Sequence, residues 1–389
     1  MARSLHRLAP LALALSLSFG CAAARAQVGP TPLPLDRDYD VVVGAEAVDQ
    51  LAWVRFGPGG ARVLRTVTVG INPLEPDGPH GVASAPTGEH LYVTTAHGVP
   101  YGYLWKLDPA TGRPLGRVEL GNFPATLQIT PDGRYAYVVN FNLHGEMVPS
   151  SVSVVSTDPF VEVARIETCA MPHGSRLNGA GTKHYSACMM DDLLVEIDAR
   201  ELAVARHFSL TKGGEHGMEG APAVKRGTAA AHDMGGHGMT PPPAGSTTCS
   251  PTWAQPSPDG RRVYVACNRT NDIVEIDAER WTMTRRIPAA DGVYNLAITS
   301  DGRLLVATNK RGQSVSVIDV ASGRELGRIP TLRKVVHGVV ISADDRYAFV
   351  SVEGIGSEPG SVEMIDLKSM KRVASVYVGQ MAGGIDVVR

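Results

Sequence analysis

From Pro79 onward the chain is a succession of short runs in which β-branched, aliphatic or aromatic residues alternate with polar ones, each run bounded by glycine, proline or aspartate. A period of two sends successive side chains to opposite faces, which is the signature of strands and not of helices. The runs come in sets: an apolar strand, a turn, a second strand rich in Tyr and Val, a third resembling Val-Ser-Val-Ile-Asp, and a fourth ending on Gly or a polar turn. A set recurs roughly every 40 to 50 residues, the spacing of a repeat architecture. Its turns stand at Ala85-Pro86-Thr87-Gly88, Thr130-Pro131-Asp132-Gly133, Asn178-Gly179-Ala180-Gly181, Ser257-Pro258-Asp259-Gly260, Thr299-Ser300-Asp301-Gly302 and Ser342-Ala343-Asp344-Asp345. Alternating runs joined by Asp-Gly turns predict hairpins, and four such strands per set predict a propeller blade.

Six sets are complete. The N-terminal runs 40–44, 51–55 and 63–70 read as second, third and fourth strands without a first, and residues 383–389 read as a first strand without partners. Joined, they make a seventh blade from both chain ends, which leaves no open sheet edge in the ring. The expected fold class is therefore all-β, a seven-bladed β-propeller closed by N-terminal strands pairing with the C-terminal strand. It occupies residues 38–389 as a single domain behind a 27–37 linker, so the chain length does not imply several domains.

Tyr92-Val93-Thr94-Thr95, Tyr137-Val138-Val139-Asn140 and Leu305-Val306-Ala307-Thr308-Asn309, with their Asp-Gly turns and Ile-Asp third strands, resemble the Tyr-Val-Thr-Asn (YVTN) repeat of bacterial exported β-propellers. The resemblance covers essentially the whole mature chain and implies the propeller fold. It does not imply one activity, because similar repeats occur in surface proteins, lactonase-like enzymes, haem d1-type domains and metal carriers.

With the turns as a ruler, the residue six before each turn's second position starts an inner strand. That column reads His80, Ala125, His173, Thr252, Tyr294 and His337, with Gly383 in the composite blade. Inner strands line the central channel. Blades 2, 4 and 7 thus each present an imidazole, followed by Gly, at one level. Three neutral imidazoles with an open position are a known zinc or copper arrangement. A single such His is more often a polar residue satisfied by backbone or water.

A second column, at the end of the second strands, contains Cys188 and Cys267. Folding each hairpin about its turn predicts the disulfides Cys169–Cys188 and Cys249–Cys267, one per blade. No Cys-x-x-Cys pair favours a thiolate cluster instead. An insertion at 212–248, rich in Gly, Ala and Pro, predicts a flexible loop on the His-bearing face. It carries His216-Gly217-Met218, His232-Asp233-Met234 and His237-Gly238-Met239. Thioether favours Cu(I), whereas imidazole takes Cu(II) or zinc, so such a segment suits capture and transfer of copper. A low-complexity linker with chance ligands would have the same composition. Met171, Met189, Met190, Asp191, Asp192, His97 and His144 fall on loops of the same face, and Glu353 and Glu358 place an acid near the channel.

The first residues read as a secretory signal peptide: Arg3 and Arg7, an apolar run over 8–19, and Ala24-Arg25-Ala26 as the cleavage site. A lipoprotein at Cys21 is the alternative. The apolar run is too short to span a membrane. Cleavage after Ala26 removes three of the 37 basic residues and none of the 39 acidic ones, leaving a net charge of −5. An interspersed, mildly acidic surface gives no reason to bind nucleic acid. An exported compartment, periplasmic or secreted, permits disulfides. There is no Gly-x-Ser-x-Gly, His-Glu-x-x-His or Cys-x-x-Cys-His motif and no phosphate loop.

These features predict an exported, non-enzymatic metal-binding propeller, monomeric, holding a copper or zinc ion and handing it to a periplasmic protein partner. Two alternatives use the same face: a lactonase- or lyase-type enzyme, and a haem-carrying or protein-interaction module.

Overall fold

The computed structural model describes residues 31–72, 74–98, 100–223 and 248–389. The expected signal peptide, residues 27–30 of the linker, and His232, Met234, His237 and Met239 lie outside the described residues.

Seven antiparallel sheets form a ring of blades. Blade 1 takes its inner strand from the C-terminus, Ala382–Val387, and continues outward through Tyr39–Ala45, Gln50–Gly57 and Gly60–Thr68. Val41 faces Val387 and Val43 faces Ile385, so both chain ends are locked into one ladder. The closure expected from the sequence is the one found. The inner strands of blades 2 to 7 are Pro79–Ser84, Pro124–Ile129, Pro172–Leu177, Pro251–Pro256, Val293–Ile298 and Val336–Ile341.

The core is not one mass. Each pair of neighbouring blades encloses its own apolar layer; between blades 4 and 5, for example, Tyr185, Leu194 and Phe208 meet Val263, Val265 and Trp281. Alternation explains this: the inner three strands of each blade turn one face to the preceding blade and the other to the next and are mostly buried on both, whereas outer strands such as Pro114–Glu119 remain largely exposed.

Both disulfides form, with Cα–Cα separations of 5.9 Å for Cys169–Cys188 and 4.5 Å for Cys249–Cys267. One correction concerns their placement. The outer strand of blade 3, Phe160–Ala170, is long enough to contain Cys169, so the first bridge ties blade 3 to blade 4 instead of stapling one hairpin. The second lies within blade 5, as expected.

The insertion is also not loop throughout. His216–Glu219 adds a fifth strand outside Ala203–Ser209 of blade 4, with His207 opposite Met218. Glu215 anchors it by an ion pair with Arg286 of blade 5 at 2.7 Å. Among the described residues no helix is long and apolar enough to cross a membrane.

Candidate functional site at the channel mouth

Each column residue is aimed by a recurring backbone device. The residue before every inner strand is left-handed: Gly78, Phe123, Met171, Ser250, Gly292, Val335 and Met381, with φ between 46° and 68°. Immediately afterwards each inner strand slips register against the second strand, as at Pro79/Val82 and Pro172/Ser175. Such bulges re-aim side chains, here into the channel.

A collar of hydrogen bonds then fixes the level. Thr94, Thr126, Thr252, Thr308 and Ser351 donate from one blade to the carbonyl of the next column residue, namely Ala125, His173, Tyr294, His337 and Gly383. Between blades 4 and 5 the donor is an imidazole: His173 Nδ1 lies 3.0 Å from Thr252 O. The glycine after each column histidine has the same cause. A Cβ at Gly81 would come within 2.1 Å of Ala125 O, and one at Gly174 within 2.2 Å of Thr252 O.

The three column histidines do converge. The His80 ring lies 5.5 Å from that of His337 and 6.0 Å from that of His173, and all three are buried. Their environments differ. His173 donates from Nδ1 to Thr252 O, and its Nε2 accepts from Tyr294 Oη at 3.0 Å. With both nitrogens engaged it is a neutral positioning group. Burial, helped by the neighbouring His80, lowers its pKa to about 3.

His80 is arranged for chemistry. Its Nδ1 lies at ion-pair distance, 2.9 Å, from Glu46 Oε1 without being aligned as a hydrogen bond, and its Nε2 has no hydrogen-bond partner. The second oxygen of Glu46 lies 3.2 Å from His97 Nε2, and His97 Nδ1 lies 3.2 Å from Nε2 of exposed His144. Burial alone would raise the Glu46 pKa, but the adjoining His80 and His97 outweigh it and hold the carboxyl well below its usual range. Gly383 makes room for this carboxylate, since a Cβ there would meet Glu46 Oε1 at 2.5 Å.

On the other side Lys310 Nζ lies 2.9 Å from Glu353 Oε1 and 4.4 Å above the Tyr294 ring centroid. Burial opposes its charge, yet Glu353 with Tyr294 and Glu46 raises its pKa. His337 Nδ1 is buried without a partner, and its Nε2 lies 3.8 Å from Glu353 Oε1. Burial and Lys310 lower the His337 pKa. A cavity of about 30 Å³ beneath the column is lined by His80, His337, Thr126, Asn295, Trp253 and Arg176. That is room for a water or two beside the unpartnered imidazole nitrogens.

Glu46 and Lys310 were missed by sequence reasoning, yet a signal exists. The residue immediately after each second strand forms another ring: Glu46, Ala96, Phe141, Met189, Asn268, Lys310 and Glu353. It stands one position beyond the column containing Cys188 and Cys267. Glu353 does lie by the channel, whereas Glu358 pairs with Arg333 at 3.2 Å and is about half exposed. Met171 and Met189 pack with Phe123 and Phe141 in an apolar cluster. Asp191 and Asp192 cap the backbone N–H groups of Ala170 and Ser250. His216 lies at the outer edge of blade 4, its Nδ1 2.7 Å from Gly214 O, so neither it nor Met218 joins the channel histidines. Among the described residues no three His, Cys, Asp or Glu side chains are grouped to hold a metal ion.

No protein-family model matches the chain, and no curated protein matches it. Solved structures do. The periplasmic gluconolactonase PpgL of Pseudomonas aeruginosa superposes with a TM-score of 0.66 at 20% identity, over 90% of this chain and 99% of that one. A candidate 6-phosphogluconolactonase from Bacteroides fragilis gives 0.65 at 13%, over 92% and 100%. Hydrazine synthase of Kuenenia stuttgartiensis gives 0.59 at 17%, over 83% and 99%. At such identities the likeness is one of fold.

Proposed function

We propose that the protein is an exported hydrolase that opens a small cyclic ester, a lactone, at this channel mouth. The observation that carries the reading is the line His80–Glu46–His97–His144: an imidazole with a free Nε2, oriented by a carboxylate whose other oxygen leads through two further imidazoles to solvent. A base oriented by a third group is the arrangement that general-base catalysis requires. His80 Nε2 takes a proton from water as the water oxygen bonds to the ester carbonyl carbon. The tetrahedral oxyanion forms near Lys310, the positive pole of the mouth. Its collapse breaks the ring C–O bond, and the leaving alkoxide recovers the proton from His80, giving a hydroxy acid. Glu46 stabilises the intermediate imidazolium, and His97 and His144 exchange protons with solvent. The lactonases among the structural neighbours and the two disulfides agree with a secreted enzyme of this kind.

The test is pH-stat hydrolysis of δ-gluconolactone and γ-butyrolactone by the mature protein. Turnover is expected, with kcat/KM reduced roughly 10²- to 10⁴-fold in His80→Gln and Glu46→Gln. Hydrolysis no faster than the spontaneous reaction, by a protein folded as judged by circular dichroism, would sink the reading.

A second reading keeps the metal. His80 and His337, each with an unpartnered ring nitrogen, line one cavity, and two imidazoles suit copper or zinc better than a hard cation. In this reading His80 and His337 hold the ion, and the His/Met insertion delivers it from or to a periplasmic partner. Elemental analysis of periplasmically expressed protein decides: one equivalent of copper or zinc, lost in His337→Ala, supports the ion, and a metal content unchanged by that substitution removes it.

A further inference from the structure

The channel has a second mouth, on the side of the Asp-Gly turns, and it is built differently. We propose that this turn-side mouth is a binding site for a small oxyanion, the carboxylate or phosphate group of a compact organic molecule, held by Arg176. The site stands on its own observations, whether or not the opposite mouth is catalytic.

A cavity of about 330 Å³ opens there, lined among others by Ser84, Gln128, Arg176, Gln255, Ser300 and Arg389. That is the lower end of the range for small-molecule pockets. Arg176 borders both this cavity and the smaller one beneath the histidines, so it stands between the two mouths. It is the fifth residue of the blade 4 inner strand Pro172–Leu177.

Its guanidinium lies 4.5 Å from the centroid of the Trp253 ring, and it donates one hydrogen bond, from an Nη to Ser175 O at 3.0 Å. Among the described residues it makes no ion pair, and its remaining N–H groups are left for the cavity. The acids of this mouth are turned to the backbone. Asp386 accepts from Ser84 N at 2.7 Å and Val387 N at 2.9 Å; Asp345 accepts from Ser300 N and Oγ. Asp386 is the near charge that supports Arg176, but burial raises its own pKa. Burial brings the Arg176 pKa down to about 10, so the fork remains a cation at neutral pH.

A partly buried guanidinium without a carboxylate partner favours an incoming anion. The planar fork matches carboxylate and phosphate geometry. The amide of Gln128 accepts from Leu177 N through Oε1, which leaves its N–H groups as further donors.

Isothermal titration calorimetry of the mature protein with D-gluconate and, separately, inorganic phosphate tests the site. Saturable one-to-one binding of at least one anion is expected, weakened tenfold or more in Arg176→Gln and less in Arg176→Lys. The tighter of the two anions identifies the head group. No saturable heat with either anion, or affinity unchanged in a folded Arg176→Gln protein, would overturn the proposal. If that variant does not fold, wild-type crystals soaked in selenate replace it: a selenium anomalous peak at Arg176 supports the site, and a turn-side cavity without one rejects it.

Discussion

In blades 6, 7 and 1 the residue after the second strand is Lys310, Glu353 or Glu46; in blades 2, 3 and 4 it is Ala96, Phe141 or Met189. Strand, register and backbone device are the same, and the chemistry is opposite. The apolar arc packs. Phe123 and Phe141 stand 5.6 Å apart, Phe141 lies 4.8 Å from the His173 ring, and Phe123 meets the edges of His80, His97 and His144 at 5.0 to 5.4 Å. The charged arc carries the two acids, the cation and His337, and Glu46 reaches from it to His80 of blade 2. A symmetric scaffold has thus been specialised on one side, with the packed side walling the reactive one.

The largest expected effect is acid destabilisation, and it comes from the neutral imidazoles of the packed side. His173 and His184 are fully enclosed, with pKa values lowered to about 3, in each case first by burial. The unfolded chain binds protons at both near the ordinary 6.5 while the folded chain does not. Stability is therefore whole above pH 6.5 and is lost as pH falls from there toward 3. Each imidazole contributes about 1.4 kcal/mol per pH unit, so two pH units cost roughly 5 kcal/mol together. Urea denaturation between pH 7 and pH 4.5 measures it, and a flat profile would show that these rings are protonated in the fold.

Next come substitutions that separate the arcs. Phe141→Ala should cost about 3 to 4 kcal/mol by opening a cavity in the apolar cluster. Lys310→Met should cost about 3 kcal/mol, because Glu353 is left buried without its partner, and Lys310→Met/Glu353→Gln should recover part of that loss. Lys310→Met should also raise the His337 pKa, since the ammonium helps to lower it. Denaturation curves and imidazole proton shifts by NMR distinguish the two outcomes. Identical stability of the single and double variants would mean that the ion pair does not hold the charged arc together.

The column His80, His173 and His337 was legible because the turn after the inner strand supplies a ruler in six blades, and bulge and collar repeat with it. Glu46 was not, because blade 1 is assembled from two chain ends and has no such turn to count from. Lys310 was passed over by one position in the register. The bridge from Cys169 to the neighbouring blade depended on how far the outer strand of blade 3 runs. The state of each ring was out of reach for a plainer reason: His173 and His80 occupy the same column, and only their neighbours differ, Thr252 O and Tyr294 engaging both nitrogens of one and Glu46 approaching Nδ1 of the other.

The smallest expected effect has the opposite sign. His184 stacks on Tyr137 with ring centroids 5.1 Å apart, and neither of its nitrogens has a hydrogen-bond partner. It is the second residue of the blade 4 strand Lys183–Cys188, in a layer of apolar side chains between blades 3 and 4. A buried polar atom without a partner costs about 1 to 3 kcal/mol, whereas a phenyl ring would keep the stacking and leave nothing unsatisfied. The larger ring takes back part of the gain through crowding. His184→Phe should therefore stabilise the protein by about 1 kcal/mol at pH 7 and more at pH 5, where the wild-type residue begins to favour the protonated, unfolded chain. It should leave any lactone hydrolysis and anion binding unchanged. Paired denaturation curves at the two pH values check this, and a variant less stable than wild type at both would mean that His184 has a bonded partner in the folded protein.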